Sequence, residues 1–234
     1  MEGNGDHRRP DPARRRLLAG AGAALGLAAA GTILPAPVWA SIEPAGPRLF
    51  GYAERRNSVI APFIKWTGTL ERYFAERQLD DSSCESSFFN RCYLEEWQEL
   101  LVELRSVPVR EQIEEVNRYM NRARYIVDPV NYRMPDYWAT PAQFFVNQGD
   151  CEDYAIAKYL SLRALDYPLD HMRVVVLMDE NLRIAHALLA VYQDGDILIL
   201  DNQISRTISH SRIQHYRPIY SINEQAWWMH SVAG

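Results

Sequence analysis

Cys151 lies between Asp150 and Glu152 in the run QGDCEDY, residues 148–154. The preceding Gly149 ends one helical pattern and Asp150 can cap the next, so Cys151 falls in the first turn of a helix. Unpaired N–H groups and the helix dipole favour a nucleophilic thiolate there. Two flanking carboxylates oppose that ionisation, so the site also needs an imidazolium or a bound cation. The run predicts a cysteine nucleophile.

A thiol nucleophile needs a base, and His186 is the candidate because it lies inside an apolar strand pattern, IAHALLAVY (184–192). The other histidines of the chain flank elements or lie in polar segments. A second strand pattern, DILIL (196–200), follows the dipeptide Asp194-Gly195. This dipeptide predicts a two-residue hairpin turn.

In that register Leu188 opposes Asp201, and His186 and Asp201 become diagonal neighbours on one face of the sheet, roughly 7 Å apart. A three-residue turn would place them on opposite faces. The residues therefore suggest a triad of Cys151, His186 and Asp201, in that chain order. The alternative is a structural histidine and an aspartate that only ends a strand.

The elements that must position these groups follow from periodicity. Helical patterns are predicted first, and Ile60, Phe63, Ile64, Leu70 and Phe74 form the apolar face of the first of them. Thr140 and Gln143 form a capping box for a short helix. The pattern predicts helices at 57–77, 94–104, 109–125, 140–146 and 155–165, and strands at 173–178, 184–192 and 196–200. Helices followed by an antiparallel sheet make an α+β domain, with the nucleophile at the N-terminus of a buried helix.

Residues 1–40 have the pattern of a signal peptide: ARRRLL (13–18), an apolar run, and a small-residue site that ends at Ala40. The arginine pair also resembles a twin-arginine signal. An uncleaved membrane anchor is the alternative. We therefore predict export to the periplasm with cleavage near Ala40, and one domain over residues 41–234.

The net charge and the cysteines indicate which partners the protein can bind and which cysteines form a disulfide. The chain has a formal net charge of −5, and removal of the leader takes away five arginines and three acids, leaving about −7. Such a surface disfavours nucleic acid. An oxidising compartment favours a disulfide between Cys84 and Cys92, which leaves Cys151 unpaired.

Several runs resemble the bacterial transglutaminase-like cysteine peptidases of the LapG type: NRYMNRARYIVDPVNY, PDYWATPAQFF, QGDCEDYAIAKYLSLRAL, HALLAVY, LDNQ and YRPIYSINEQAWW. The resemblance implies a papain-like or transglutaminase-like α+β core. It also implies a catalytic triad at Cys151, His186 and Asp201, and calcium at Asp150 and Glu152. Carboxylates beside the nucleophile are ligands that calcium prefers. Asp153 is a weaker candidate.

The same resemblance implies a calcium-dependent periplasmic endopeptidase. Its substrate would be a large surface adhesin, cut near the N-terminus at an Ala-Ala site, which releases the adhesin and disperses biofilm. An inner-membrane receptor for cyclic di-GMP would be the inhibitory partner. Two alternatives stay open from the residues: a transglutaminase-type acyl transferase, which uses the same thioester, and a non-enzymatic calcium-dependent binding module. The second oxyanion donor is not identifiable, with Gln148 a minor candidate.

Overall fold

A computed structural model of the chain describes residues 46–77 and 91–232. The predicted leader, residues 1–40, lies outside this part of the chain. The predicted pairing of Cys84 with Cys92 also depends on side chains outside it. Among the described helices, none is both long and apolar enough to span a bilayer.

Helices occupy the first half of the described chain. The helix of the nucleophile begins at Cys151, and its side chains are buried almost continuously from Asp153 to Leu162. Within the described ranges the α-helices are α1 (Ile64–Glu76), α2 (Arg91–Leu104), α3 (Val109–Met120), α4 (Asp128–Asn131), α5 (Pro141–Asn147) and α6 (Cys151–Ala164).

The first helix corrects the sequence prediction. It begins at Ile64 rather than at residue 57; residue 57 ends strand β1, and a loop over residues 58–63 separates that strand from the helix. Ile64 is 77% exposed, whereas Trp66, Leu70 and Tyr73 form the buried face. The apolar periodicity had been extended across the preceding loop, which shifted the predicted face. For α5 the capping box of Thr140 is present as predicted.

The second half of the chain builds most of an antiparallel sheet with the strand order β1-β7-β6-β2-β3-β4-β5. Three of these strands were predicted, whereas the first strand and the last three were not. Their ranges are β1 (Ala53–Asn57), β2 (Met172–Asp179), β3 (Ile184–Gln193), β4 (Asp196–Leu200), β5 (Ile208–Ser209), β6 (Tyr216–Ile222) and β7 (Trp227–Ser231).

Two hydrophobic clusters cover the two faces of the sheet. Val174, Leu189 and Leu198 belong to the cluster shared with the helices. Their strand neighbours, among them Leu188, belong to a second cluster with Tyr216. Helix α6 packs directly on β3, which places the start of the helix beside the strand that contains His186.

The hairpin between β3 and β4 has the predicted register. Gln193 pairs with Asp196, and Leu189 pairs with Leu200, as a two-residue turn requires. Asp194 and Gly195 both have positive φ, at 51° and 78°. Such angles suit glycine and are tolerated by aspartate. This turn fixes which face Asp201 takes at the end of β4.

A buried histidine in β7 makes fold stability depend on pH. His230 is buried, contacts the Ser221 hydroxyl at 2.9 Å, and burial lowers its pKa to about 4. The unfolded chain binds this proton near pH 6.5, so stability is lost as pH falls from about 6.5 to 4. We expect His230→Gln to remove about 2 kcal/mol of that pH dependence. Urea unfolding at pH 7 and pH 4.5 measures it.

The control is His171→Gln, which changes an exposed histidine and should leave the pH dependence unaltered. A wild-type and a His230→Gln curve that fall in parallel between these pH values would contradict the prediction.

Candidate active site

The His186 ring is held by a buried carboxylate. Its Nε2 lies 2.9 Å from Oδ1 of Asp201, and both side chains are almost fully buried. The same carboxylate accepts hydrogen bonds from the Tyr216 hydroxyl at 2.7 Å and from the Gln203 backbone at 2.9 Å. Because Nε2 is engaged by Asp201, Nδ1 is the ring nitrogen left for proton transfer; the side-chain nitrogen of Gln203 lies 3.4 Å from it.

Hydrogen bonds decide the ionisation of Asp201. Burial alone would raise its pKa, but the hydrogen bonds from His186, Gln203 and Tyr216, together with the charge of His186, outweigh burial and lower it. Asp201 is therefore ionised at neutral pH and can orient the imidazole.

Cys151 begins α6 and is largely enclosed. Its thiol donates to Oε2 of Glu152 at 3.2 Å. The pKa of Cys151 is raised, first by burial and then by the charge and hydrogen bond of Glu152 and by the charge of Asp150. A hydrogen bond from the Ala187 backbone lowers it. Since Ala187 directly follows His186, the segments that carry the thiol and the imidazole are in contact.

A phenol also lies near the thiol. Tyr125 forms a parallel backbone bridge with Gly149, and the next amide, of Ile126, donates to the Gly149 carbonyl at 2.9 Å. This pairing brings Tyr125 close enough to Cys151 for the two side chains to interact electrostatically. The ring is 54% exposed, so it borders the thiol from the solvent side. Nothing in the sequence pattern singled out Tyr125.

Acidic side chains gather beside Cys151 in two overlapping groups, and in each group carboxylate oxygens lie within 4.8 Å of one another. One group consists of Asp128, Asp136 and Glu152, and the other of Asp128, Asp150 and Asp153. Asp128 belongs to both. The sequence predicted Asp150 and Glu152 as ligands, and the fold adds Asp128, the first residue of α4, and Asp136, from the loop between α4 and α5.

Unfilled acceptor capacity marks this cluster. Oδ1 of Asp128 and Oδ1 of Asp150 are buried and lack a hydrogen-bond partner among the described residues. Burial, with the charge of Asp150 next, raises the pKa of Glu152 to about 9. Burial likewise raises the pKa of Asp128 to about 6. Buried, unpaired carboxylates of this kind are stabilised by a positive charge among them.

Asp153 differs from the other acids of the cluster because both of its carboxylate oxygens accept hydrogen bonds from backbone amides. One of its oxygens accepts from the Ala139 backbone at 2.7 Å and the other from the Asp150 backbone at 3.3 Å. A side chain at position 149 would collide with it, because an added Cβ would lie 2.6 Å from the Asp153 Cβ. Gly149 is therefore required for close packing, and Asp153 braces the loop that presents the thiol.

The family model described as "Bacterial transglutaminase-like cysteine proteinase BTLCP" matches residues 84–231. The chain belongs to this family. A comparison with curated proteins finds no match. The proteinase is a LapG-type enzyme, and its α+β fold, predicted from the sequence, is confirmed as transglutaminase-like.

Solved structures of Legionella pneumophila LapG are similar to the proteinase. One LapG structure and a calcium-bound LapG structure are each 32% identical in sequence to the proteinase, with a TM-score of 0.55. In both cases the match covers 69% of the proteinase and 87% of the LapG chain. The EGTA-treated form is 31% identical, covers 71% and 88%, and gives a TM-score of 0.56.

Gln148, considered as an oxyanion donor, is placed differently in the proteinase. Its Oε1 accepts from the Arg124 backbone at 2.7 Å, and its carbonyl accepts from the Asn131 side chain at 3.1 Å. It has a positive φ of 67° where α5 ends. Gln148 therefore ties the loop of Tyr125 to the loop of Cys151.

Proposed function

We propose that the chain is a calcium-dependent cysteine endopeptidase with Cys151, His186 and Asp201 as its triad. The observation that carries the proposal is the His186 imidazole, which is held by the buried Asp201 carboxylate and lies on the strand against which the helix of Cys151 packs. His186 takes the thiol proton, the thiolate attacks the scissile carbonyl, and the imidazolium then protonates the leaving amine. Water hydrolyses the thioester.

Asp128, Asp136, Asp150 and Glu152 would hold the calcium ion. The two orphaned oxygens and the all-oxygen donor set fit a hard cation. When bound, calcium supplies positive charge that offsets the carboxylates around the thiol. With Glu152 engaged as a ligand, its carboxylate is no longer free to hold the Cys151 proton. The structure titled calcium-bound Legionella pneumophila LapG supports the same choice of ion.

Two donors are available for the oxyanion. The backbone N–H of Cys151, in the first turn of α6, is one, since such groups lack an intrahelical acceptor. The Tyr125 hydroxyl is the second, because the tetrahedral carbon would be bonded to the Cys151 sulfur, near which Tyr125 lies.

Tyr125→Phe removes only that hydroxyl. We expect kcat to fall about 100-fold with KM within about twofold, since the interaction forms in the transition state. The melting temperature should stay unchanged because the ring is half exposed. Steady-state kinetics and thermal unfolding measure both. Tyr119→Phe, which removes a hydroxyl from α3, is the matched control, and an equal kcat loss in both variants would refute the role of Tyr125.

The proposed substrate is a large surface adhesin, cleaved near its N-terminus at an Ala-Ala site. Its release would promote biofilm dispersal. Small residues at the cleaved bond suit a narrow approach to a thiol as enclosed as Cys151. Export to the periplasm with removal of residues 1–40, and inhibition by an inner-membrane receptor that responds to cyclic di-GMP, complete the proposal. Amino-terminal sequencing of the periplasmic protein tests the cleavage near Ala40.

The deciding experiment uses residues 41–234 and a peptide that contains one Ala-Ala bond, with calcium or with EGTA, and with Cys151→Ala as control. Mass spectrometry should find hydrolysis between the alanines only for the wild type in calcium. Incorporation of an added primary amine without hydrolysis would indicate the acyl transferase instead. Calcium binding without any turnover, for this peptide and for an adhesin fragment, would indicate a binding module.

A further inference from the structure

A pocket of about 250 Å³ opens between the start of α1 and strand β6, and Asp136 of the acid cluster is one of its lining residues. The rest of the lining is mostly aromatic and aliphatic, with Phe63, Ile64, Trp66, Trp138 and Tyr220. Because an apolar cavity of about 150 Å³ can hold a benzene molecule, this pocket has room for one large apolar side chain. The proposed mechanism does not use it.

Packing and hydrogen bonds fix the floor and one wall of the pocket. The Trp66 side chain is fully buried, and its Nε1 donates to the Asn223 carbonyl at 3.1 Å. Its ring meets Trp138 edge to face, with the ring centroids 6.4 Å apart. Phe63 and Tyr220 form the wall, with ring centroids 5.2 Å apart. The cavity is therefore preformed, which lowers the entropic cost of binding a side chain.

The mouth of the pocket is apolar and open to solvent. Ile64, the first residue of α1, is 77% exposed, although Trp66 two residues later is buried. At the rim the Lys65 ammonium pairs with the Asp136 carboxylate. A concave apolar surface with a few polar groups is the usual form of a ligand-binding site. Ile64 is thus free to contact a ligand rather than the core.

The acid at the rim connects the pocket to the nucleophile. Carboxylate oxygens of Asp136 and Glu152 lie within 4.8 Å of each other, and Oε2 of Glu152 accepts from the Cys151 thiol at 3.2 Å. The rim therefore lies no more than about 10 Å from the sulfur, the length of roughly three residues of an extended peptide. A peptide whose scissile carbonyl is at Cys151 can place a nearby side chain in the pocket.

An Ala-Ala bond gives a peptidase little to recognise. Each alanine side chain is one methyl group, and the free energy of apolar burial scales with the area that is buried. Discrimination between one Ala-Ala site and another must then come from binding energy at residues away from the cleaved bond. The pocket offers such a contact beside the thiol.

We propose that this pocket is a specificity subsite, which takes one aliphatic or aromatic side chain of the substrate within about three or four residues of the cleaved bond. The inference rests on the proposed function and adds a requirement to it, an apolar residue near the Ala-Ala site. Ile64 contacts that side chain at the mouth and Tyr220 contacts it at the wall, while the cleaved bond stays between the alanines.

A set of peptides tests the subsite. Each peptide has one Ala-Ala bond flanked by serines, with a single leucine at one of the four positions on either side. In calcium, we expect leucine at one position to raise kcat/KM of the wild type at least tenfold over the all-serine peptide, because only a side chain that reaches the pocket is buried there. The adjacent positions should have little effect, because neighbouring side chains of an extended peptide point to opposite sides.

Two enzyme variants assign that preference to the pocket. Ile64→Ser removes apolar area from the mouth, and Tyr220→Ser removes part of the wall. Each should lower the leucine-to-serine ratio of kcat/KM at least threefold, and Ile64→Ser should keep the wild-type melting temperature because the side chain is so exposed. Val102→Ser is the matched control, since it removes a 70% exposed β-branched side chain from α2 and should leave the ratio unchanged.

Binding to Cys151→Ala gives a readout that does not depend on turnover. Isothermal titration calorimetry should give a Kd for the best leucine peptide at least tenfold below that of the all-serine peptide. Adding Ile64→Ser to this background should reduce the difference at least threefold. A wild type that cleaves no Ala-Ala peptide would refute the proposed function, whereas tighter binding of a leucine peptide that depends on Ile64 would still support the subsite.

Three results would overturn the inference. The first is that leucine at no position raises kcat/KM or strengthens binding. The second is a leucine preference that both pocket variants keep at the size found in Val102→Ser. The third is an equal loss of kcat/KM for the leucine and all-serine peptides in both pocket variants, which would make Ile64 and Tyr220 structural residues.

Discussion

Cys151→Ala is expected to abolish hydrolysis of the Ala-Ala peptide, with kcat/KM at least 10⁴-fold lower, because no other side chain at the site can form the thioester. His186→Ala should lose about as much, since the nucleophile and its base act as one unit. Calcium binding by Cys151→Ala should be retained, because the proposed calcium ligands are the neighbouring carboxylates and not the thiol. Discontinuous peptide assays and calcium titration measure the two properties separately.

Substitution of Asp201, the third member of the proposed triad, should have a distinct kinetic signature. Asp201→Asn keeps the shape of the side chain but cannot hold the same tautomer of His186, so we expect kcat to fall about 10²- to 10⁴-fold. Asp194→Asn, at the exposed turn of the same hairpin, is the matched control and should retain full activity. Normal turnover by Asp201→Asn would contradict the assigned orientation of the imidazole.

The contact between His186 and Asp201 was predictable because the length of a hairpin turn determines which residues of the two strands face each other. Once Asp194-Gly195 forms the turn, register and alternation determine which side chains meet. The start of α6 was equally readable, since a glycine and an N-cap residue mark it in the sequence. These are local rules, and the fold adds nothing that contradicts them.

The residues that reasoning missed depend on tertiary packing. Tyr125 comes near the thiol because it forms a backbone bridge with Gly149, whereas the sequence pattern predicts helix through residue 125 and α3 ends at Met120. Asp128 joins the acid cluster from the start of α4, and Asp136 joins it from the loop after that helix. The predicted start of the first helix was wrong for a different reason: the apolar periodicity continues into residues 57–63, which precede the helix in the structure.

Calcium removal is the second large effect expected. With EGTA, the carboxylates around Cys151 lose their compensating charge, and Glu152 again accepts the thiol hydrogen bond, which raises the pKa of Cys151. We expect kcat/KM to fall at least about 100-fold, because a much smaller fraction of Cys151 is then present as the nucleophilic thiolate. Saturating calcium should raise the melting temperature by about 5–10 °C, because it binds only the folded cluster.

Substitutions of single acids separate two roles of the cluster, which are calcium binding and the electrostatic effect on the Cys151 thiol. Asp128→Asn and Asp150→Asn should both lose the thermal shift with calcium, since each removes charge beside an orphaned buried oxygen. Glu152→Gln should lose the shift as well. In EGTA above about pH 9, where Glu152 is ionised, this variant should alkylate Cys151 faster than the wild type does, because a neutral amide does not oppose the thiolate. Asp170→Asn, an exposed acid far along the chain from this cluster, serves as control. Full activity of the wild type in EGTA, with no thermal shift on adding calcium, would exclude the cluster as a calcium site and leave its buried charge to be balanced by bound protons.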